Sequence, residues 1–200
     1  MKFHLFNPDD YTLSEWAGGT TTQLYIYPPK ASYKKQNFLF RISTAKVEQT
    51  HSEFTSLPGF LRKLMILDGT ISINHKEQYS KKLNKFDTDT FDGGWQTTSE
   101  GICTDFNLMT TGSYSGNLMS LILKKNSSFD YQIAEKIKYL FIFVNNGELN
   151  IVFNDKNYHL NKNYLLKIFA LKKVTINFIA ALDTELVITE IFKNPLSQKI

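Results

Sequence analysis

The chain has 200 residues, of which 42% are hydrophobic and 21% charged, and its formal net charge is +4. This composition provides the apolar surface for one large or two small globular domains. The lysines occur as scattered pairs without a concentrated basic stripe, so nucleic-acid binding is not expected. The N-terminus lacks a signal-peptide core, no apolar run reaches membrane length, and Cys103 is the only cysteine. We therefore expect a cytoplasmic protein without disulfides or membrane contact.

Short apolar segments with a period of two dominate the chain and predict an all-β protein. The best helical candidate is short and covers Asp10 to Trp16. A first hairpin is predicted from Leu64 to Ile73 around Asp68-Gly69. A second is predicted from Tyr139 to Phe153 around Asn146-Gly147, because both dipeptides tolerate the positive φ of tight turns.

The two predicted hairpins form an internal repeat. A shift of 78 positions places Gly69 on Gly147 and aligns apolar residues in the pairs Leu64 with Ile142, Ile66 with Val144, Ile71 with Leu149, and Ile73 with Ile151. Continued without a gap, the same shift aligns Phe86 with Tyr164 and Phe91 with Phe169. Two copies of one strand-turn-strand unit would produce this register, and chance similarity between amphipathic strands is the alternative.

Arginine is rare in this chain and is confined to one window. Of the 23 Lys and Arg residues, only Arg41 and Arg62 are arginines. The guanidinium is a rigid, planar fork of donors that matches a carboxylate or fills a buried hydrogen-bond network. The window is therefore the first place to expect a site, although either arginine could simply attach a loop to a barrel.

A nearby segment places polar side chains on one face of a strand. Asp105, Asn107 and Met109 alternate with Phe106 and Leu108, so the two sets face opposite sides. If Phe106 and Leu108 pack between the sheets, the polar pair lies outside the core. If the order is reversed, the pair enters the barrel and needs partners. The two arginines are available as partners for Asp105, either in a structural ion pair or in a ligand site.

Thr20, Thr21 and Thr22 follow Gly18-Gly19 and offer hydroxyls together with approachable backbone amides. Such a segment can hold an anion. It is equally typical of the start of a β-strand, since threonine favours strands.

Five sequence blocks resemble one family in order and approximate spacing. They are Trp16-Ala17-Gly18-Gly19-Thr20-Thr21-Thr22, Phe40-Arg41-Ile42-Ser43-Thr44-Ala45-Lys46-Val47, Leu57-Pro58-Gly59 with Arg62, Phe91-Asp92-Gly93, and Thr104-Asp105-Phe106-Asn107-Leu108-Met109. Together they resemble the HutD/Ves family of bacterial bicupin proteins. The resemblance implies an all-β bicupin with two consecutive cupin-like (double-stranded β-helix) barrels, which also explains the internal repeat.

The polar motifs are confined to the first copy, and a turn-rich segment near Ser113 to Asn117 marks the predicted boundary. We expect residues 1–114 to form a cupin-like barrel with the pocket and residues 115–200 to form a structural barrel. Bulky side chains are expected to fill the second barrel: Phe141, Phe143, Phe153, Tyr164, Phe169 and Phe178.

The sequence gives little support for a metal site or for a nucleophilic catalytic residue. Metal-binding cupins use a His-x-His pair, and none of the four histidines has that spacing, so no metal and no cofactor are expected. Cys103 lies in an apolar run and is expected to be a buried, inert thiol. His51 could serve as an acid or base, although a surface loop histidine is the simpler interpretation.

The sequence thus predicts a protein that binds a small polar or anionic metabolite, with a regulatory or stress-related role. The family's link to histidine utilisation implies urocanate-like carboxylates as ligands. The predicted ligand-binding residues, with no catalytic residue among them, are Thr20, Thr21, Thr22, Arg41, Ser43, Arg62, Asp105 and Asn107. The alternatives are a metal-independent isomerase or epimerase with His51 or Asp105 as its base, and a ligand-free interaction scaffold. A homodimer is compatible with each of these functions.

Overall fold

A computed structural model describes residues 1–153, 156–170 and 173–194, and it confirms the all-β prediction. One short 3-10 helix covers Pro8–Asp10. The strands among these residues are β1 (Lys2–Phe6), β2 (Thr12–Trp16), β3 (Gly19–Tyr27), β4 (Phe40–Val47), β5 (His51–Glu53), β6 (Phe60–Gly69), β7 (Ile71–His75), β8 (Tyr79–Leu83), β9 (Thr88–Asp92), β10 (Thr97–Glu100), β11 (Cys103–Thr111), β12 (Tyr114–Leu123), β13 (Ser128–Ile133), β14 (Ile137–Asn146), β15 (Leu149–Phe153), β16 (Lys156–Leu160), β17 (Leu165–Phe169), β18 (Val174–Ala180) and β19 (Thr184–Lys193). No helix within the described ranges is long and apolar enough to span a bilayer.

The chain divides into two compact units. The N-terminal unit is built on Tyr11–Ser115 and contains a six-stranded sheet in the order β2-β3-β4-β11-β6-β9 and a four-stranded sheet in the order β5-β10-β7-β8. Leu64 and Ile66 of the larger sheet share one buried cluster with Ile71 and Ile73 of the smaller one. The two sheets of this unit therefore pack over a common core.

The C-terminal unit repeats this arrangement. It consists of Met1–Asp10 and Gly116–Lys193, with a five-stranded sheet in the order β1-β17-β14-β19-β12 and a four-stranded sheet in the order β13-β18-β15-β16. Its core cluster likewise joins Ile142 and Val144 of the larger sheet to Leu149 and Ile151 of the smaller one.

Two details at the N-terminus differ from the sequence predictions. The helix predicted over Asp10 to Trp16 is wrong, because Thr12–Trp16 is strand β2, paired antiparallel with β3. The first barrel predicted over residues 1–114 does not include the first ten residues. They belong to the C-terminal unit, because β1 pairs with β17 along its whole length. Long-range pairing of this kind leaves no mark in local sequence pattern.

The two predicted hairpins are wrong, because the strands on either side of each turn lie in different sheets: β6 and β14 belong to the larger sheets, and β7 and β15 belong to the smaller ones. The turns between these strands nonetheless match closely. Gly69 and Gly147 both adopt φ of 82° in their turns. The four aligned apolar pairs all occupy the two core clusters, with one member of each pair in each unit. The internal repeat is therefore a repeat of backbone conformation and of core position.

The gap-free continuation of the repeat is wrong by one residue. The backbone N–H of Phe86 donates to Ile66 O at 2.7 Å, and its counterpart is Asn163, which donates to Val144 O at 2.7 Å. Further on, Phe91 of the first core corresponds to Ile168 of the second. The hairpin from Leu149 to Leu160 is one residue shorter than the hairpin from Ile71 to Leu83, so the register shifts there.

The aromatic filling predicted for the second barrel is only partly correct. Phe178 lies in the core, and Phe153 and Tyr164 pack against it. Phe141 and Phe143, however, alternate with the core residues of β14 and face the opposite side of the sheet. Phe169 also lies outside the core cluster, which is mainly aliphatic.

Replacing the turn glycines tests the repeated geometry. An alanine Cβ at Gly69 would overlap Ile102 O, and one at Gly147 would overlap Asp183 O. Gly59 has the same φ of 82°, but nothing lies within 4 Å of the position that an alanine methyl group would take, so Gly59→Ala isolates the backbone cost. We expect Gly59→Ala to lower the free energy of unfolding by about 1–2 kcal/mol.

Gly69→Ala and Gly147→Ala should each cost at least about 3 kcal/mol, because the overlap adds to the backbone strain. Urea unfolding of the three variants measures these differences. Equal losses in all three would show that the close approaches do not constrain the turns.

Candidate functional site

The N-terminal unit contains a cavity of about 340 Å³ whose floor is the six-stranded sheet. Alternating residues of β4 and β11 face it, because successive side chains of a strand point to opposite sides. Six of the eight predicted site residues line it: Thr21, Arg41, Ser43, Arg62, Asp105 and Asn107.

Strand register explains why these side chains meet. Asn107 of β11 lies opposite Ser43 of β4, and Met109 lies opposite both Arg41 of β4 and Arg62 of β6. Residues that are far apart in the sequence therefore occupy neighbouring positions on one face. This is the second of the two orientations considered for β11, in which Asp105 and Asn107 point into the unit.

Arg41 is held at the floor by three contacts. Its Nε donates to Gln23 Oε1 at 2.9 Å and its Nη1 donates to Ser43 Oγ at 3.0 Å. Its guanidinium carbon also lies 4.5 Å from the ring centroid of Tyr33. Burial lowers the pKa of Arg41 to about 10, so the side chain is still charged at neutral pH.

Arg62 is as buried as Arg41 but less completely hydrogen-bonded. Its Nη1 donates to Thr55 O at 3.4 Å and its Nη2 donates to Asn107 Oδ1 at 3.3 Å, and both are long for a charged donor. Its Nε is buried and has no hydrogen-bond partner among the described residues. The guanidinium lies 4.9 Å from the ring centroid of Phe54, and burial lowers its pKa.

Asp105 does not pair directly with Arg41 or Arg62, so the structural ion pair, one of the two alternatives considered, is not formed. Asn107 lies between Asp105 and Arg62, since its Nδ2 donates to Asp105 Oδ1 while its Oδ1 accepts from Arg62. Burial raises the pKa of Asp105 to about 7, and the nearby Arg62 and hydrogen bonds from Ala45 and Asn107 only partly oppose this. The carboxyl group therefore titrates near neutral pH.

The remaining walls of the cavity come from residues that the sequence did not single out. Ser52 of β5 and Ser99 of β10 lie opposite each other in the four-stranded sheet, and both line the cavity. Ser52 Oγ is buried without a hydrogen-bond partner among the described residues. Further lining residues come from β2, from β5 and the segment after it, and from the segment after β3: Ser14, Glu15, Trp16, Glu53, Phe54, Thr55 and Tyr33.

Several candidate residues lie away from the cavity. Thr20 and Thr22 alternate with Thr21 on β3 and do not line it. His51 is exposed and its Nδ1 contacts Glu100 Oε1 at 2.7 Å. Cys103 is buried in the core and burial raises its pKa to about 12, as expected for an inert thiol. Of the two residues considered as a base, only Asp105 therefore faces the cavity.

The sequence model of the HutD family matches residues 8–184, which is most of the chain. The chain belongs to the HutD family. No curated protein sequence matches it. Membership of the HutD family agrees with the resemblance of the five motif blocks between Trp16 and Met109.

Solved structures share the fold at low sequence identity. PA5104 of Pseudomonas aeruginosa PAO1, a conserved protein of unknown function, is 17% identical, with a TM-score of 0.82 over 96% of this chain and 100% of that one. HutD of Pseudomonas fluorescens SBW25 is 17% identical, with a TM-score of 0.73 over 97% and 100%. The bacterial pirin YhhW of Escherichia coli, solved in complex with nickel(II), is 10% identical, with a TM-score of 0.72 over 97% and 100%. These similarities establish a cupin-like fold.

The cavity residues of this HutD-family chain do not suit a transition metal such as the nickel of YhhW. A guanidinium has no lone pair to offer a metal, and neither histidine nor cysteine lines the cavity. Across the described ranges, no group of three or more His, Cys, Asp and Glu side chains is placed to hold a metal ion. The histidines lie apart, on strands β1, β5, β7 and β16.

Asp105→Asn is expected to change how the stability of the protein depends on pH. The folded pKa of about 7 exceeds the ordinary value of 3.8, so the folded state favours the protonated carboxyl group. This stabilisation is complete below about pH 4 and is lost as the pH rises through about 7, by on the order of 4 kcal/mol. The variant should therefore gain stability relative to the wild type over this range.

Urea unfolding at several pH values measures the difference. Asp68→Asn is the matched control, because Asp68 is exposed and the change reproduces the Asn146-Gly147 turn of the second repeat. Parallel pH profiles for Asp105→Asn and the wild type would contradict a buried, titrating carboxyl group.

Proposed function

We propose that this HutD-family protein is a bicupin that binds a small organic anion in its N-terminal unit without a metal ion. Arg62 and Arg41 receive the carboxylate of the ligand at the cavity floor. Asn107 and Asp105 orient Arg62, and Ser43 and Gln23 orient Arg41. Binding, with a regulatory or stress-related consequence, is the proposed role.

The unpartnered Nε of Arg62 carries this proposal. A buried donor without a partner costs about 1–3 kcal/mol, and more when it is charged. Arginine binds carboxylates through two parallel N–H donors, so Nε and a neighbouring Nη form a ready fork. The long bonds of Nη1 and Nη2 leave room for a better acceptor. A bound carboxylate would satisfy Nε and shorten the network.

The charge at the floor favours an anion. Two guanidiniums and one buried carboxyl group line the cavity, and the carboxyl group is partly protonated at neutral pH because burial raises its pKa to about 7. The two guanidiniums also repel each other and any further cation, since positive charges disfavour one another in a poorly solvated site. A negatively charged ligand group relieves this repulsion.

The size and lining of the cavity favour a small metabolite. A volume of about 340 Å³ is at the lower end of the range of about 300–1,000 Å³ typical of small-molecule sites. Tyr33, Phe54 and Trp16 supply aromatic surface beside the polar floor. Membership of the HutD family supports a urocanate-like carboxylate as the first compound to test.

Arg62→Lys tests the role of the arginine fork. The lysine keeps the charge but cannot present two parallel donors, so we expect at least about a tenfold loss of affinity for urocanate or hexanoate. Isothermal titration calorimetry measures the affinity, and urea unfolding checks separately that the variant is folded.

The reciprocal change Lys63→Arg is the control, because Lys63 is the next residue of β6 and contacts Thr90 at 3.4 Å, away from the cavity. It should leave affinity unchanged. If folded Arg62→Lys binds carboxylates as tightly as the wild type, the proposed contact is wrong.

A further inference from the structure

The cavity carries opposite charges at its two ends. Among the described residues that line it, the basic ones are Arg41 and Arg62, each only 5% exposed, and no lysine is present. Glu15 and Glu53 also line it, but both are exposed to solvent. The arginines therefore mark the floor, and the two glutamates mark the rim.

The two rim glutamates come from different sheets and lack basic partners. Glu15 belongs to β2 of the six-stranded sheet and Glu53 to β5 of the four-stranded sheet. Neither side chain forms a hydrogen bond or an ion pair with a described residue, although both residues pair through the backbone with a neighbouring strand. Two other exposed glutamates of this unit do form side-chain contacts, since Glu48 contacts Lys46 at 2.5 Å and Glu100 contacts His51 at 2.7 Å. Glu15 and Glu53 therefore line the cavity with carboxylates that have no side-chain partner among the described residues.

Each rim glutamate is followed by an aromatic residue that also lines the cavity, Trp16 after Glu15 and Phe54 after Glu53. The ring of Phe54 already contacts the guanidinium of Arg62 at 4.9 Å. Trp16 is 39% exposed and is the aromatic surface left for a ligand at the rim. A carboxylate beside an indole ring suits an organic cation, because the ring face attracts positive charge.

Two buried polar atoms belong to residues that line the cavity and lack a partner. Arg62 Nε at the floor and Ser52 Oγ in the wall have no hydrogen-bond partner among the described residues. Ser52 is 7% exposed and directly precedes Glu53 on β5. An elongated ligand that reached from the floor to the rim would pass Ser52.

We propose that the cavity selects a zwitterionic organic ligand, whose carboxylate binds Arg41 and Arg62 and whose cationic group lies at the rim near Glu15, Glu53 and Trp16. This inference rests on the proposed function and narrows its ligand class. A simple carboxylate satisfies the floor only. A molecule with an ammonium, imidazolium or guanidinium group at its other end satisfies both ends.

Titration with hexanoate and 6-aminohexanoate tests the rim, because the two acids have the same chain length and only the second carries a terminal cation. We expect wild-type protein to bind 6-aminohexanoate at least about threefold more tightly, the size of effect that exposed ion pairs produce. The preference should shrink at high salt, since the rim is open to screening.

The double variant Glu15→Gln/Glu53→Gln should lose this preference while still binding hexanoate. The matched control is Glu48→Gln/Glu100→Gln, which changes the net charge equally but alters glutamates that do not line the cavity. It should keep the preference.

Equal or tighter binding of hexanoate by the wild type would overturn the zwitterion proposal and leave anion binding intact. So would a preference that survives in Glu15→Gln/Glu53→Gln. Failure of both acids to bind, or unchanged binding by folded Arg62→Met, would overturn the proposed function itself and the zwitterion proposal with it.

Discussion

The site depends on a guanidinium that is buried at the cavity of the N-terminal unit. Burial of Arg62 is unfavourable by itself, and the fold offsets this with the rings of Phe54 and Phe91 and with the amide of Asn107. Asn107 in turn holds Asp105, so one hydrogen-bond chain connects β6 to the middle of β11. This chain of hydrogen bonds leaves Arg62 Nε without an acceptor. The proposed anion site follows from that unsatisfied donor.

The period of two explains what the sequence could predict. Alternation alone placed Leu64 and Ile66 on one face, and the repeat transferred that assignment correctly to Ile142 and Val144. The same alternation put Asp105 and Asn107 on one face of β11. The rarity of arginine then added Arg41 and Arg62 to the same site. The motif blocks of the family agreed with all four polar positions.

The contacts between strands explain what the sequence could not predict. Nothing local indicates that Ser52 would line the same cavity as Arg62, because that depends on the packing of two sheets. Alternation was also misapplied to Phe141 and Phe143, whose bulk suggested a core role although their phase in β14 places them on the other face. The pairing of β1 with β17 and the one-residue shortening of the second repeat are likewise tertiary facts.

NMR spectroscopy of the arginine side chains tests the central claim most directly. The chain contains only two arginines, so the Nε–Hε region holds two signals, and loss of one in Arg62→Lys assigns both. On titration with hexanoate, the account predicts that the Arg62 Hε signal moves downfield and exchanges more slowly with water as it gains an acceptor. Saturable binding of hexanoate with an unchanged Arg62 signal would contradict it.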